Sequence, residues 1–309
     1  MNAIEIRNLS KNFGEKQAVS SLNMTVPIGS IYGFIGENGS GKTTTEKMIC
    51  GLLHPVSGSI KLFGKDYKDI DIHSKMSCLI EGVGCFPSLT VWNNLMLHAT
   101  NLGLLNKEEE IRRVLKLVRM EGAAGNKFKN CSLGMKQRIG IAMALMGDPE
   151  LLILDEPING LDVDGMRIMR EILTDLSKLG KTILVSSHIL GELEKIATHY
   201  GIIRHGKMIK EMTSEEFEKE CRTFVALKST DLDKTKDILK GKFERVEIDE
   251  EEYIRRYKED VLSKLNPKEV YNDLKDKVLL CYERYDKFCH GHIVAQWLNE
   301  ELDVNIKEI

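Results

Sequence analysis

The 309-residue sequence has no long run of apolar residues. Its longest stretch without strongly polar side chains, Ile139 to Gly147, is far shorter than the roughly 20 residues that a membrane-spanning helix needs. Residues Met1 to Arg7 alternate apolar and charged side chains, which is typical of a strand and not of a secretion signal. We therefore expect no membrane span and no targeting segment, so any membrane role must come from a partner.

An excess of positive charge is also absent. Lys and Arg number 44 against 47 Asp and Glu, for a net charge of −3, so the chain lacks the broad basic field of non-specific nucleic-acid binders. Nucleic acid is therefore the weaker candidate partner. The seven cysteines are an odd number and follow no disulfide-framework spacing, which indicates reduced thiols in the cytosol.

What is present is a chain long enough for one large domain and one small domain, with 42% hydrophobic residues to build a core. Up to about residue 210, short β-rich runs alternate with helical patterns, which is typical of a mainly parallel sheet covered by helices. The clearest buried strands are Ile31–Ile35, Leu151–Leu154 and Thr182–Val185. The fold class predicted for this part is α/β.

Helical spacing of apolar residues marks two core-facing helix faces, one formed by Ile111, Val114, Leu115 and Val118 and the other by Met169, Ile172, Leu173 and Leu176. The helix-rich segment Thr90 to Met120 interrupts the strand alternation and predicts a helical subdomain inserted in the α/β core, over about residues 86–145. Glu211 to Cys221 is interpreted as a connecting helix.

The remaining residues, 223–309, predict a small second domain after a first domain over residues 1–222. Two βαβ patterns suggest a ferredoxin-like α+β domain. The charged stretch Glu250 to Lys277 between them is interpreted as a solvated helical insertion. The predicted strands are Thr223–Lys228, Phe243–Asp249, Val278–Tyr282 and Val304–Ile306, and the predicted helices are Asp231–Lys240 and one carrying Ile293, Val294, Trp297 and Leu298.

A phosphate-binding loop follows the first buried strand. Residues Gly36 to Thr43 read Gly-Glu-Asn-Gly-Ser-Gly-Lys-Thr, with the strand before and the helix after that this motif requires. Glycines let successive N–H groups turn toward phosphate oxygens, Lys42 adds a positive charge, and Thr43 offers a hydroxyl to Mg²⁺. The helix that faces the phosphates is predicted to begin at Thr44.

Two carboxylates, Asp155 and Glu156, end the strand Leu151–Leu154 at the sheet edge where open α/β folds bind ligands. Phosphoryl transfer needs one group for the metal and one for the attacking water. We assign Asp155 to Mg²⁺ and Glu156 to the water. A pair of helix-capping carboxylates is the structural alternative.

With these motifs in order, residues 1–210 resemble an ATP-binding cassette (ABC) ATPase, a P-loop NTPase. Cys131 to Arg138 reads Cys-Ser-Leu-Gly-Met-Lys-Gln-Arg and resembles the family signature Leu-Ser-Gly-Gly-Gln. Ser132 and Gly134 match, whereas Leu133 and Met135 depart from it. The resemblance implies that this loop faces ATP held by a second copy of the chain, in a symmetric head-to-tail pair.

Three further positions match the family. Asn159 to Asp162 resembles the D-loop, His188 matches the switch histidine that contacts the γ-phosphate, and Phe13 stands where the family stacks an aromatic ring on adenine. For His188 and Phe13, ordinary packing is the alternative.

One departure indicates a subfamily. Where most cassettes carry glutamine before the helical subdomain, this chain has Glu81. Together with the form of its signature and the extra carboxyl-terminal domain, this resembles the bacitracin-resistance and lantibiotic-immunity exporters. A carboxylate at this position still reaches Mg²⁺ or water but adds negative charge, so we expect hydrolysis to depend more strongly on the metal.

The resemblance implies an ATP-hydrolysing transport subunit with ATP and Mg²⁺ as cofactors. Its expected partners are a membrane permease and a second copy of itself, with no nucleic acid, and its expected place is the cytoplasmic face of the membrane. An alternative is a soluble cassette ATPase acting on ribosomes or DNA, and the carboxyl-terminal domain is compatible with a regulatory role. The predicted site comprises Phe13, Gly36, Glu37, Asn38, Gly39, Ser40, Gly41, Lys42, Thr43, Thr44, Glu81, Ser132, Gly134, Met135, Asp155, Glu156, Asp162 and His188.

Two other groups attract attention but are interpreted as structural. Cys281, Cys289, His290 and His292 do not follow a known zinc spacing. Cys78 and Cys85 flank Glu81, but no neighbour in sequence clearly lowers the pKa of either thiol.

Overall fold

A computed structural model describes residues 1–220, 258, 262–274 and 290–302. The chain divides into two compact units, Met1–Arg222 and Thr223–Ile309. The strands of the first unit are β1 (Asn2–Phe13), β2 (Lys16–Pro27), β3 (Ile31–Ile35), β4 (Ser57–Leu62), β5 (Lys65–Asp66), β6 (Met76–Leu79), β7 (Leu151–Leu154), β8 (Thr182–Ser187), β9 (His199–Arg204) and β10 (Lys207–Thr213). Its α-helices are α1 (Lys42–Ile49), α2 (Ile70–His73), α3 (Val91–Asn101), α4 (Lys107–Leu117), α5 (Leu133–Leu145), α6 (Val163–Lys178), α7 (Leu190–Leu193) and α8 (Ser214–Glu220).

Six strands form the main sheet in the order β10-β9-β3-β8-β7-β6. All neighbours are parallel except the edge hairpin of β9 and β10. Strands β7 and β8 have no exposed residue, because helices and the second sheet cover both faces. This arrangement confirms the predicted α/β class and the three buried strands, of which β8 continues two residues beyond Val185.

A second sheet, in the order β2-β1-β4-β5, is antiparallel. Its apolar residues, including Ile4, Ile6, Met24 and Ile60, form a core with α1 and one face of the main sheet. The core on the other face contains the buried residues of α4 and α6 that the sequence predicted.

Between β6 and β7 the chain forms three helices, α3 to α5, which pack on one another. A buried asparagine organises the loop that enters this segment. The Asn94 side chain accepts a hydrogen bond from Phe86 N at 2.7 Å and donates to Phe86 O at 3.1 Å and Thr90 O at 3.0 Å. Its carboxamide thereby satisfies backbone groups that a loop cannot pair by itself.

Two predicted boundaries were wrong. Glu211–Thr213 belong to β10, where each pairs with a residue of β9, and the helix begins only at Ser214. An exposed edge strand can carry charged residues such as Glu211, and in sequence such a strand is difficult to distinguish from a solvent-exposed helix. The helix after the phosphate-binding loop begins at Lys42 and not at Thr44, because the left-handed Gly41 (φ 109°) precedes the first helical residue directly.

The second unit is described only at residue 258 and over 262–274 and 290–302. Leu262–Lys264 forms a short 3₁₀ turn, and two helices follow, α9 (Pro267–Leu274) and α10 (His290–Leu302). Trp297 and Leu298 are buried, as the predicted apolar face requires. The predicted strands of this unit lie outside the described residues, so the ferredoxin-like fold stays a prediction. Of the helices that are described, none has the length and apolar character to cross a bilayer.

Candidate nucleotide site

The loop between β3 and α1 has the shape of an anion cradle. Gly39 and Gly41 adopt positive φ angles of 79° and 109°, and a Cβ on Gly36 would lie 2.5 Å from the carbonyl oxygen of Ile203. The hydroxyl oxygen of Ser40 is buried and has no hydrogen-bond partner. An unpaired buried hydroxyl in a loop at a helix N-terminus fits an anionic ligand.

Lys42 lies across this loop. Its side chain is 5% exposed, and its ammonium donates to the carbonyl oxygens of Gly36 at 2.6 Å and Glu37 at 3.2 Å. The same ammonium lies 3.4 Å from Glu156 Oε1. The ammonium group that was predicted to bind phosphate therefore lies beside the backbone of this loop.

Thr43 and Asp155 are brought together although 112 residues separate them. The Thr43 hydroxyl donates to Asp155 Oδ2 at 3.0 Å, and the Ser186 hydroxyl donates to Oδ1 at 2.8 Å. Hydroxyl and carboxylate oxygens are the ligands that Mg²⁺ prefers, so this pair fits the ion. Ser186 was missed in the sequence, where a serine at a strand end carries no distinguishing pattern.

Glu156 directly follows β7 and contacts residues at the end of β8 and just after it. Its backbone has a positive φ of 50°, and its N–H donates to Ser186 Oγ at 3.1 Å. Its Oε2 lies 2.8 Å from Nδ1 of His188, and Nδ1 is the donor because a carboxylate only accepts. One carboxylate therefore contacts both Lys42 and His188.

Glu46 is an acidic residue that the sequence analysis did not single out. It is fully buried on the inner face of α1, and neither carboxylate oxygen has a partner at hydrogen-bond distance, although the side chains of Ser186 and Asp155 lie close enough to influence its pKa. Burial raises the pKa of Glu46 well above its usual range, and the negative charge of Asp155 raises it further. Glu46 was missed because its neighbours in sequence are polar, so the sequence pattern predicts that its side chain is exposed to solvent.

Glu81 lies in the loop after β6, with a left-handed backbone (φ 59°) and an exposed side chain. Its carboxylate pairs with Lys47 of α1 at 2.5 Å. Lys47 was not a predicted site residue, since no local pattern connects it with a position 34 residues away.

The remaining predicted residues occupy other elements. Phe13 is half exposed at the end of β1, with the Lys11 ammonium 5.5 Å from its ring centre. Ser132 caps α5 by accepting a hydrogen bond from Met135 N, and Asp162 caps α6 by accepting one from Gly165 N. No hydrogen bond or ion pair of the described residues connects Ser132, Gly134 or Met135 with the phosphate-binding loop. That separation is compatible with a role toward a second copy.

Two thiols from different elements influence each other. The Cys50 side chain lowers the pKa of the Cys78 thiol below its ordinary value, although the partial burial of Cys78 acts in the opposite direction. No sequence pattern predicts this proximity, because Cys50 directly follows α1 and Cys78 lies in β6. Within the described ranges, no three Cys, His, Asp or Glu side chains form a metal-binding group. Cys281 and Cys289, and the side chains of His290 and His292, lie outside them.

Comparison with known proteins identifies the family. Residues 19–159 match the family model described as ABC transporter. The bacitracin transport ATP-binding protein BcrA of Enterococcus faecalis is 42% identical over 232 residues, which cover 74% of this chain and 75% of that protein. The chain belongs to the ABC transporter ATPases. The lantibiotic transport ATP-binding protein SrtF of Streptococcus pyogenes is 40% identical, over 67% of this chain and 90% of its own length.

A solved structure supports the same assignment. The nucleotide-free ATP-binding cassette of an ABC transporter superposes with a TM-score of 0.65 at 25% identity and covers 71% of this chain and 94% of that one. The cassette described here is therefore an ATP-binding and ATP-hydrolysing transport subunit. The candidate nucleotide site lies at the carboxyl ends of β3, β7 and β8.

Proposed function

We propose that the cassette powers the export of a peptide antibiotic, such as bacitracin or a lantibiotic, through a separate membrane permease. The relatives BcrA and SrtF, which are named for bacitracin and lantibiotic transport, support this class of cargo. Two copies would hold two ATP molecules, each between the phosphate-binding loop of one copy and Ser132 and Gly134 of the other. The chain would lie on the cytoplasmic face of the membrane, where residues 86–145 contact the permease.

The contact of Glu156 with both Lys42 and His188 is the observation that carries the assignment of roles. In this proposal Glu156 accepts a proton from the attacking water, and His188 holds Glu156 and the transferred phosphoryl group in place. When ATP binds, the Lys42 ammonium leaves its contact with Glu156 and binds phosphate oxygens instead. Thr43 and Asp155 would hold Mg²⁺, which offsets the negative charge of the phosphates.

A substitution at Glu156 tests this assignment in the full chain. Glu156→Gln removes the base and also the negative charge that competes for Lys42. We expect it to bind ATP at least as tightly as the parent, to accumulate dimers, and to hydrolyse ATP roughly 10² to 10⁴ times more slowly. The readouts are equilibrium binding of labelled ATP, phosphate release, and light scattering.

Glu150→Gln is the matched control, because Glu150 immediately precedes the opposite end of β7 and its side chain is exposed. It should leave all three readouts unchanged. Normal turnover in Glu156→Gln would remove Glu156 from the role of base.

The cargo requires a cellular test. Deletion of the gene in its host should increase growth inhibition by bacitracin or by a lantibiotic, and the parent gene should restore resistance where Glu156→Gln does not. Unchanged sensitivity to both classes would contradict the proposed cargo but leave the ATPase assignment intact.

A further inference from the structure

An ion pair connects the nucleotide-binding helix with the loop that carries Glu81. The Lys47 ammonium lies 2.5 Å from Glu81 Oε1, and the lysine side chain is 26% exposed against 63% for the glutamate. Lys47 lies four residues after Thr43 on α1. Residues at this spacing share a helix face, so Lys47 lies one turn along the face that carries the Thr43 hydroxyl.

The backbone of Glu81 has an unusual conformation. Its φ of 59° is in the left-handed region, which is unfavourable for a residue with a side chain. Gly82 follows with φ 112°, and the loop has no regular secondary structure. The contact with Lys47 is an ion pair of the Glu81 carboxylate in this loop.

The segments that carry the pair also contact charged residues of the candidate site. Asp155, which follows β7, donates its backbone N–H to the carbonyl oxygen of Leu79 at 2.9 Å, two residues before Glu81. The charge of the next residue, Glu156, is already offset by Lys42 at 3.4 Å. A cation and a positively charged metal compete for the same carboxylate, because each offsets the same negative charge. Lys47 is therefore placed to lower the affinity of Glu81 for a metal ion bound with the nucleotide.

We propose that Lys47 is a positioning residue that sets the metal affinity of the nucleotide site through Glu81. This inference rests on the proposed roles of Thr43 and Asp155 toward Mg²⁺ and on the expectation from the sequence that the Glu81 carboxylate reaches the ion. In the absence of nucleotide, Lys47 holds the Glu81 carboxylate. When ATP and the metal ion bind, the negatively charged Glu81 carboxylate interacts with both the Lys47 ammonium and the metal ion.

The experiment measures binding of Mn²⁺, as a magnetic probe for Mg²⁺, to the full chain loaded with ATP. All variants carry Glu156→Gln so that ATP persists, and free Mn²⁺ is read from its electron paramagnetic resonance signal. The four proteins are the background, Lys47→Met, Glu81→Gln, and the double variant. An exposed ion pair is worth up to about 1 kcal/mol, so Lys47→Met should tighten Mn²⁺ binding roughly two- to fivefold when Glu81 is present.

The same substitution should have no effect in the Glu81→Gln background, because the amide carries no charge for Lys47 to hold. Lys47→Arg should restore the background affinity. Lys75→Met is the matched control, since Lys75 forms a similar exposed pair with Glu150 at 2.8 Å. It should change nothing.

Equal or weaker Mn²⁺ binding in Lys47→Met would overturn the proposal, and so would an equal change in both backgrounds. Lys47→Gln provides a second neutral variant if Lys47→Met does not fold. Failure of the background protein to bind Mn²⁺ with ATP would instead contradict the proposed function.

Discussion

Replacing Glu46 with leucine should stabilise the protein. Glu46 is fully buried, neither of its carboxylate oxygens has a partner at hydrogen-bond distance, and the nearby charge of Asp155 disfavours its ionised form. An unsatisfied buried polar group costs about 1–3 kcal/mol. Leucine has a similar volume and replaces the carboxyl by methyl groups, which adds roughly 1–2 kcal/mol of apolar burial. We expect Glu46→Leu to raise the free energy of unfolding by about 2–5 kcal/mol.

The assay is unfolding of the full chain without nucleotide, by heat and by urea. For a unit of this size, each kcal/mol moves the melting temperature by roughly 2–4 °C, so the variant should melt at least about 5 °C higher. Glu46→Gln should gain less, since its amide remains buried without partners. Glu150→Leu is the matched control, because that side chain is exposed and its replacement should alter stability by less than about 0.5 kcal/mol. A Glu46→Leu protein with unchanged or lower stability would refute the reasoning.

Two further predictions concern the segment between β6 and β7. Glu110 accepts two hydrogen bonds from Arg113, which lowers its pKa, and Glu110→Gln should destabilise the fold by about 1 kcal/mol at pH 7. Because the folded state favours the ionised carboxylate, this contribution is complete above the ordinary pKa of about 4.3 and is lost as pH falls through the lowered pKa. Urea unfolding of parent and variant should therefore converge in acid, and a constant difference would contradict the cause given. Asn94→Ala should speed amide hydrogen exchange over residues 86–90 and cost about 2–3 kcal/mol, whereas exposed Asn93→Ala should do neither. Equal protection of this loop in both variants would contradict the role of the Asn94 hydrogen bonds.

The parts of the fold that were predicted correctly are those whose burial produces a pattern within a few consecutive residues. Apolar runs indicate β3, β7 and β8 because both faces of these strands are covered, and the helical spacing in α4 and α6 reflects one buried face. Glu211–Thr213 carried a misleading local signal, since an edge strand exposed to solvent does not need an apolar pattern.

For the site, the sequence predicts which residue types occur but not all their contacts. Lys42, Thr43, Asp155, Glu156 and His188 follow strands whose carboxyl ends meet, so their proximity was predictable from a parallel sheet. Their roles toward ATP and metal stay predictions. The pair of Lys47 with Glu81 depends on the rotation of α1 against the loop after β6, which no periodicity specifies. Glu46 breaks the rule that buried positions are apolar, so sequence patterns place it on the surface.

The strand order has a consequence for protein engineering. Strands β6 and β7 lie side by side and parallel, so the chain leaves the sheet at Leu79, at the carboxyl edge, and re-enters it at Leu151, which pairs with Met76 at the amino edge. The helical segment over residues 86–145 is therefore part of a crossover connection between two neighbouring strands. A different helical segment that makes the same crossover would leave the pairing of β6 with β7 unchanged. Protein engineers can therefore exchange the segment between these strands without redesigning the parallel sheet.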